Sequence, residues 1–155
     1  MVGCKVIDPD GKFQLSSRRA YPSFLTSLFQ ILGLSYIFPK SKIFGRYNYT
    51  HISENSNHEV DSVSGACMMF TRKHFINLNG FDEDYFLFFE ETDFCIRTKE
   101  YGKKVFYNSN AVTIHYRGES MKTAPFNVNN IFLDSLLTFY KKRSNNLNIL
   151  NFILI

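Results

Sequence analysis

The pattern of apolar and polar positions divides the chain into short strands and helices. Apolar side chains at 2–7 predict a first strand, and the Asp-Pro-Asp-Gly sequence after it predicts a turn. Alternating positions at 12–15 predict a second strand that returns from this turn. Residues 23–37 then place apolar side chains at helical spacing behind Ser23, a residue type that caps helices.

The rest of the chain alternates helices and strands after one long irregular segment. Residues 39–57 show no period and predict a loop. The elements predicted beyond it are a strand at 60–70, a helix at 71–78 that stops at Asn79 and Gly80, a helix at 89–101 closed by Gly102, strands at 105–107 and 111–115, and an amphipathic helix at 127–142. This order of elements predicts an α/β fold.

Composition and charge narrow the function classes. A chain of 155 residues with 45% hydrophobic and 21% charged residues has the length and composition of one globular domain. The net charge of +4 suits an anionic partner, such as a nucleotide diphosphate or an acidic membrane surface. The charge is too small and too scattered to indicate binding to nucleic acid. The three cysteines are far apart, which predicts free thiols in a reducing, cytoplasmic setting.

Two apolar segments raise the question of membrane contact. Neither 24–38 nor 147–155 reaches the ~20 apolar residues that a membrane span needs. Each segment suits burial in a core or contact with the surface of a bilayer, and the pattern leaves both interpretations open. We therefore expect a cytoplasmic protein, with peripheral contact at the inner face of the cell membrane as an open interpretation.

Residues 81–93 form an acidic segment in a basic chain. It contains six of the chain's 14 carboxylates and no Lys or Arg, and the six are Asp82, Glu83, Asp84, Glu90, Glu91 and Asp93. These side chains suit a general base, a metal ligand, or only the start of a helix, where the dipole favours negative charge. Apolar residues at 86–89 precede the last three, and a carboxylate beside apolar surface becomes a usable base near neutral pH. Asp93 and Arg97, four positions apart, predict an ion pair.

His115 ends a predicted strand and begins a polar loop. Functional sites gather at strand ends in α/β folds, and imidazole is a ligand for Mn or Zn, although a single His is also common as a structural residue. Arg117, Ser120 and Lys122 suit either the binding of phosphate oxygens or plain solvation. The sequence contains no glycine-rich phosphate-binding motif, nucleophile elbow or HExxH zinc motif.

An ordered series of short motifs resembles a known enzyme family. The series is V-S-G-A-C-M-M-F-T-R at 63–72, N-G-F-D-E at 79–83, F-F-E-E-T-D-F-C-I-R at 88–97, G-K-K-V at 102–105, His115, and G-E-S at 118–120. In this order and spacing it closely resembles the C-terminal half of family 2 glycosyltransferases, particularly the bacterial rhamnosyltransferase-like members. The resemblance is strong over 60–122, and it rests on the whole series because no single motif is specific.

The resemblance implies a GT-A fold, which is a mixed α/β sandwich. It also implies a nucleotide-diphosphate sugar donor, a divalent metal (Mg or Mn) and inversion at the anomeric carbon. The family's catalytic base falls on Glu91 here, preceded by Glu90, and the family usually has Asp at that place. The other site residues that the resemblance or the loop chemistry implies are His115 for the metal, and Gly65, Ala66, Asp82, Glu83, Arg117 and Ser120 for the substrates.

The family's first half, with its nucleotide-binding strands and Asp-x-Asp metal motif, has no counterpart in these 155 residues. We therefore expect a single partial domain over 1–155, with a C-terminal helix and apolar tail at 127–155, and no activity of the chain alone. The complete enzyme is expected to transfer a sugar, such as rhamnose, to a surface polysaccharide or a lipid-linked saccharide of the cell envelope. The alternative is a non-catalytic half-domain or remnant that binds a partner, such as the missing half, or a membrane.

Overall fold

A computed structural model of the protein describes residues 1–119 and 127–144. The strands are β1 (Val2–Ile7), β2 (Arg18–Arg19), β3 (His58–Glu59), β4 (Ser62–Val63), β5 (Met68–Met69) and β6 (Phe106–Ile114). The helices are α1 (Phe24–Ile31), α2 (Leu34–Ile37), α3 (Arg72–Asn77), α4 (Glu90–Glu100) and α5 (Val128–Ser144). The predicted α/β class is confirmed.

The larger sheet has four strands in the order β3-β6-β1-β5. β1 and β6 run parallel, whereas β3 and β5 are antiparallel to their neighbours at the two edges. The sheet is therefore mixed, as a GT-A fold requires. β1 lies centrally and close to β4, since a Cβ atom added to Gly3 would overlap the side chain of Val63.

β6 corrects the prediction of two strands at 105–107 and 111–115, because the chain continues as one strand through the polar residues between them. The register against β1 shifts between Cys4 and Lys5, where residues 109–111 of β6 bulge out of the ladder. In this bulge the backbone N–H and the hydroxyl of Ser109 both donate to Asn57 Oδ1 at 2.7 Å. The Asn57 side chain, from a distant loop, thus accepts hydrogen bonds from Ser109. Ser109 belongs to a polar stretch that the sequence predicts to be a turn.

β2 and β4 form a second, antiparallel sheet of two strands. The prediction of one strand over 60–70 is wrong, because β4 and β5 belong to different sheets. A turn separates them, in which the Cys67 N–H donates to Ser64 O at 3.2 Å. Gly65 and Ala66 lie exposed in this turn. Gly65 and Ala66, which the sequence predicts in the middle of one strand, instead form the turn that connects the two-stranded sheet to the larger sheet.

Two predictions in the first third of the chain also need correction. Residues 12–15 make one isolated bridge to the end of β1 and then enter a 3-10 turn at Leu15–Ser17, so no second strand forms. The helix predicted for 23–37 begins at its Ser23 cap but breaks at Gly33, whose φ of 70° is left-handed. A glycine at such an angle ends one helix and starts another without a steric cost.

Predictions that rest on local capping are confirmed. Thr71 caps α3 by accepting a hydrogen bond from the His74 N–H at 3.2 Å, and Asn79 and Gly80 end it in left-handed conformations. Gly102, with φ of 72°, ends α4. These signals depend only on neighbours in sequence, which is why the sequence is sufficient to place them.

The core lies between the sheets and α4. Its buried apolar centre consists of Val60, Val63, Cys95, Val105 and Tyr107. A second buried cluster joins α4 to α5 and consists of Tyr85, Ile96 and Phe139. The two clusters fix α4, and therefore its first turn, against both β4 and the C-terminal helix.

Arg18 ties the long irregular segment to this core. Its side chain is only 2% exposed. The guanidinium donates to the carbonyl oxygens of Tyr49, Ile52 and Ser53 at 3.3, 2.6 and 3.0 Å, and it lies 4.9 Å from the centre of the Tyr107 ring. Residues 39–57, predicted as a loop, indeed contain no helix or strand, and this buried cation supplies the contacts that regular structure would otherwise provide.

No helix within residues 1–119 or 127–144 combines the length and the apolar character needed to cross a bilayer. The predicted apolar tail at 147–155 lies outside the described residues.

Candidate functional site

Glu91 lies in the first turn of α4 and faces the second sheet. Its Oε1 forms an ion pair with the guanidinium of Arg19 in β2. The turn after β4 passes directly beside it, since a Cβ atom added to Gly65 would lie 3.5 Å from the Glu91 Cβ. The fold therefore brings together two residues that the family resemblance singled out separately, Glu91 and Gly65.

The second oxygens of the two adjacent glutamates are buried. Among the described residues, neither Oε2 of Glu91 nor Oε2 of Glu90 has a hydrogen-bond partner. Burial, and then the neighbouring charge of Glu91, raise the pKa of the Glu90 carboxyl. An unsatisfied buried acceptor costs about 1–3 kcal/mol, so such oxygens need a reason to be retained. In the described part of the chain, two adjacent residues of this first turn thus each have a carboxylate oxygen with unused capacity to accept a hydrogen bond or a proton.

The backbone that leads into these glutamates is strained. Phe88 and Phe89 both have φ of 68°, in the left-handed region that bulky residues avoid. The Phe132 ring of α5 lies 5.6 Å from each of their rings, and Ser135 of α5 donates to Leu87 O at 2.7 Å. Strain persists where surrounding contacts fix it, and it is concentrated at functional sites. α5 therefore holds the entry to α4 in a conformation that the segment would not adopt alone.

Ion pairs within α4 and from α5 engage the other acidic residues of α4. The predicted pair is confirmed, since Arg97 Nε donates to Asp93 Oδ2 at 2.6 Å. Arg143 of α5 pairs with the other oxygen of Asp93, and with Glu100 at 2.9 Å. Both oxygens of the buried Asp93 carboxylate are thus used in packing the helices. This acidic residue is structural and is separate from the glutamate pair.

Asp82 and Glu83 lie on the loop before α4. Lys142 of α5 pairs with Asp82, and with Asp84 at 2.6 Å. The other oxygen of Asp82 accepts the Asp84 N–H at 3.1 Å, and Glu83 is exposed. Asp82 is therefore engaged in a turn and in a helix contact, and a substrate role for either residue stays a prediction.

His115 directly follows β6, at the end of the main sheet where the parallel strand β1 also ends. Its backbone N–H donates to Ile7 O at 2.9 Å, and its Nδ1 lies 3.2 Å from Gln14 Oε1. The buried Gln14 amide also donates to Asp8 Oδ1 at 2.7 Å and to the backbone oxygen of His115 at 2.8 Å. Gln14 thus connects an imidazole and a carboxylate at the carboxyl ends of two parallel strands, where α/β folds bind ligands.

The part of the chain that the structure describes does not form a metal site by itself. Nowhere in it do three or more His, Cys, Asp or Glu side chains come together in a way that suits a metal ion. His115 and Asp8 offer two donors at most, and Gln14 engages both residues. GT-A glycosyltransferases typically use a divalent metal, but these residues do not fit one without further ligands.

The other predicted substrate residues have few contacts. Ala66 lies exposed beside Gly65, with its N–H donating to Ser64 Oγ at 3.2 Å. Arg117 is exposed beyond β6. Ser120 lies outside the described residues. Of the described candidates, Gly65 lies beside Glu91, with Ala66 next to it in the chain, whereas His115 lies at a different strand end.

Comparison with known proteins supports the family resemblance. The family described as the N-terminal domain of galactosyltransferase matches residues 48–119. An N-acetylglucosaminyl-diphospho-decaprenol L-rhamnosyltransferase of Mycobacterium tuberculosis is 27% identical over 124 residues, which are 80% of this chain and 39% of that protein. Rhamnosyltransferase WbbL of Escherichia coli K12 is 35% identical over 57 residues, which are 37% of this chain and 22% of that protein.

The chain is similar to rhamnosyltransferases.

This glycosyltransferase-related chain spans about two fifths of the length of its mycobacterial relatives. The matched range, 48–119, contains the exposed Gly65 turn, both glutamates and His115. The mixed sheet and the family match together support the predicted fold class, a portion of a GT-A-type α/β domain. No solved structure matches the chain.

Three residues of the glycosyltransferase-related site could not be assigned from sequence. Arg19 lies 72 positions from Glu91, Gln14 lies 101 positions from His115, and Ser135 lies 48 positions from Leu87. None has a neighbour in sequence that indicates its partner. The one available signal is the Arg18–Arg19 pair itself, since charged residues need partners when they are buried.

Proposed function

We propose that this chain forms the acceptor-activating part of an inverting glycosyltransferase. The proposed reaction transfers a sugar, rhamnose in the first instance, from a nucleotide-diphosphate donor to a lipid-linked or polysaccharide acceptor. The observation that carries the proposal concerns Glu91, which lies beside the exposed Gly65 turn and whose buried Oε2 has no hydrogen-bond partner within residues 1–119 and 127–144. The mycobacterial relative, whose name gives an N-acetylglucosaminyl-diphospho-decaprenol substrate, supports the choice of acceptor.

In the proposed mechanism, Glu91 acts as the general base. Its Oε2 takes the proton of an acceptor hydroxyl, and the hydroxyl oxygen forms a bond to the anomeric carbon. The bond from that carbon to the donor's diphosphate breaks at the same time, and the diphosphate leaves with the electron pair. Arg19 holds the other oxygen in an ion pair, which fixes the orientation of the carboxylate and leaves Oε2 to take the proton.

The strained entry to α4 has a role in this mechanism. A base must lie within about 2.6–3.2 Å of the proton that it takes, so its orientation has to be fixed. Arg19 fixes Glu91 from the side of β2, while Ser135 and Phe132 fix the preceding backbone from α5. The longer side chain of Glu, where the family usually has Asp, needs such support more than the shorter one would.

Glu90 is the second candidate for the base. Its raised pKa makes it the stronger proton acceptor, and its Oε2 is also unpartnered among the described residues. We prefer Glu91 because it is the residue beside the Gly65 turn, where an acceptor could approach. The two assignments differ in which single substitution abolishes transfer.

Donor binding is proposed to need residues beyond these 155. The chain matches 39% of its mycobacterial relative, and its described part lacks a complete metal site. We propose that the chain works at the cytoplasmic face of the membrane, where a lipid-linked acceptor is presented. The rival function is a non-catalytic half-domain that only binds a partner.

One experiment separates these two functions. The 155-residue chain is titrated with a nucleoside-diphosphate rhamnose and Mg²⁺, and transfer to an N-acetylglucosaminyl-diphospho-lipid is assayed. Both measurements are repeated after co-expression with the remaining segment of the mycobacterial relative. We expect transfer only in the combined preparation. A folded chain that joins this segment yet neither binds the donor nor supports transfer would overturn the proposal in favour of the non-catalytic function.

A further inference from the structure

The surface around the break between α1 and α2 has an inverted distribution of side chains. A surface helix normally buries its apolar residues and exposes its polar ones. Here the polar residues Ser23, Thr26 and Ser35 are buried, at 3%, 4% and 9% exposure. The apolar side chains that point outward are Ile31, Leu32, Tyr36, Ile37, Phe38 and Ile43, and each is at least half exposed. We call these six residues the apolar patch.

The patch is held in place by ordered contacts beneath it. The Phe44 ring packs against Phe29 at 4.9 Å and against Phe38 at 5.6 Å between ring centres. The Thr50 hydroxyl donates to Pro39 O at 2.6 Å. Below these contacts, the Ala20 N–H donates to Tyr47 O at 2.7 Å, which joins the segment to β2 and thus to Arg19. The patch is therefore a fixed surface on the same support as the candidate site.

The sequence interval that contains the patch has charges of one sign. No Asp or Glu occurs between Arg19 and Glu54 in the sequence. Lys40, Lys42 and Arg46 lie in this interval, and all three are exposed. Apolar side chains flanked by cations, with Tyr36 among them at 76% exposure, are the composition of a surface that enters the headgroup region of an anionic membrane.

We propose that the apolar patch, with Lys40 and Lys42, docks this protein on the anionic face of a lipid bilayer. A contiguous exposed apolar patch marks a protein or membrane contact. The complete lack of carboxylates in the interval favours an anionic lipid surface over a protein partner, whose interface would present both signs of charge. The docking proposal rests on the proposed function in one respect: a lipid-linked acceptor would explain why the protein binds a membrane.

Vesicle flotation tests the docking without any donor or acceptor, so its result is independent of sugar transfer. The probes are vesicles of phosphatidylcholine and vesicles of phosphatidylcholine mixed with phosphatidylglycerol. We expect the chain to float with the mixed vesicles, and added salt to weaken this binding because it screens the lysines. A chain that does not bind the mixed vesicles would overturn the proposal.

Paired variants locate the binding surface. Ile31→Glu with Ile37→Glu is expected to weaken binding on the order of tenfold or more, because two anchors are lost and two negative charges are gained. Ile76→Glu is the matched control, since Ile76 is an exposed apolar residue on α3, outside the patch.

Lys40→Gln with Lys42→Gln is expected to lower binding to anionic vesicles by roughly fivefold per lysine. The control is Lys73→Gln with Lys103→Gln, since both of these lysines are exposed.

Two results would overturn the location. In the first, the isoleucine variants bind vesicles as well as the unmodified chain does, which assigns the binding to another segment such as 147–155. In the second, the chain is a dimer by sedimentation, the isoleucine variants are monomers, and neither binds vesicles, which makes the patch a contact between two copies. Circular dichroism checks that the variants fold, which we expect because both isoleucines are exposed, at 82% and 65%.

Discussion

Arg19 and Glu91 form an ion pair that joins β2 to the first turn of α4. The pair uses one oxygen of the carboxylate and leaves the other without a hydrogen-bond partner in the described part of the chain. One residue is thus fixed in position and yet has a free acceptor atom. This division of the two oxygens distinguishes Glu91 from Asp93, whose oxygens are both used in ion pairs.

The first prediction concerns the base. In the combined, active preparation, Glu91→Gln is expected to lower transfer on the order of 100-fold or more, because Gln cannot take the proton. Glu59→Gln is the control, since Glu59 is an exposed glutamate on β3, outside the candidate site. Initial rates at saturating donor measure the effect. Full activity of Glu91→Gln together with an inactive Glu90→Gln would move the base to Glu90.

The second prediction concerns pH. The pKa of Glu90 is raised in the folded state by burial and by the charge of Glu91. Between the unfolded and folded pKa values the unfolded chain has lost the proton while the folded chain retains it, so stability falls as pH rises through this window. Glu90→Gln removes the penalty. It is expected to be more stable than the unmodified chain at pH 7, and the difference is expected to disappear at pH 4, as measured by urea denaturation at both values.

The third prediction concerns the partner of the base. Arg19→Gln leaves the largely buried Glu91 without its counter-ion, which is expected to cost about 2–4 kcal/mol of unfolding free energy. Adding Glu91→Gln is expected to restore part of this loss, because the unpaired charge is then gone. Lys12→Gln, which breaks an exposed pair with Asp10, serves as the control and is expected to leave the unfolding free energy nearly unchanged. Equal losses in the single and double variants would show that the pair is not coupled.

The fourth prediction concerns the support from α5. Ser135→Ala removes the hydrogen bond to Leu87 O and leaves that carbonyl without this donor, at a cost of about 1 kcal/mol. In the combined preparation it is also expected to lower the rate of transfer more than its effect on stability explains. Ser56→Ala, at an exposed position, is the control. A variant that loses stability but keeps its full rate would limit Ser135 to a packing role.

The fifth prediction concerns Arg18. Arg18→Lys keeps the charge but loses the planar group that reaches three carbonyl oxygens and stacks on Tyr107, and is expected to cost about 2–4 kcal/mol. The exposed Arg46→Lys is the control. Amide exchange in 39–57 measures the local effect, and we expect it to quicken there first. Unchanged exchange in this segment would show that other contacts order it.

The sequence predicts what depends on neighbouring residues. β1, the Thr71 cap, the end of α4 at Gly102 and the Asp93–Arg97 pair are all local and are confirmed. The break at Gly33 was missed because an apolar helical pattern continues across it. The continuous β6 was missed because the Asn57 side chain that satisfies its bulge comes from a distant loop. Charge and family resemblance indicate the glutamate pair, whereas its ion-pair partner Arg19 lies 72 positions away in sequence.

The two-residue strand β2 has a consequence for how this protein can change. Successive residues of a strand point to opposite faces, so Arg18 reaches the irregular segment while Arg19 reaches the glutamate. Inserting or deleting one residue just before β2 would exchange the two roles, and a two-residue strand is too short to absorb the slip. We therefore expect the number of residues between the first turn and β2 to be the same in related sequences. Insertions and deletions should occur in the long segment after β2 instead.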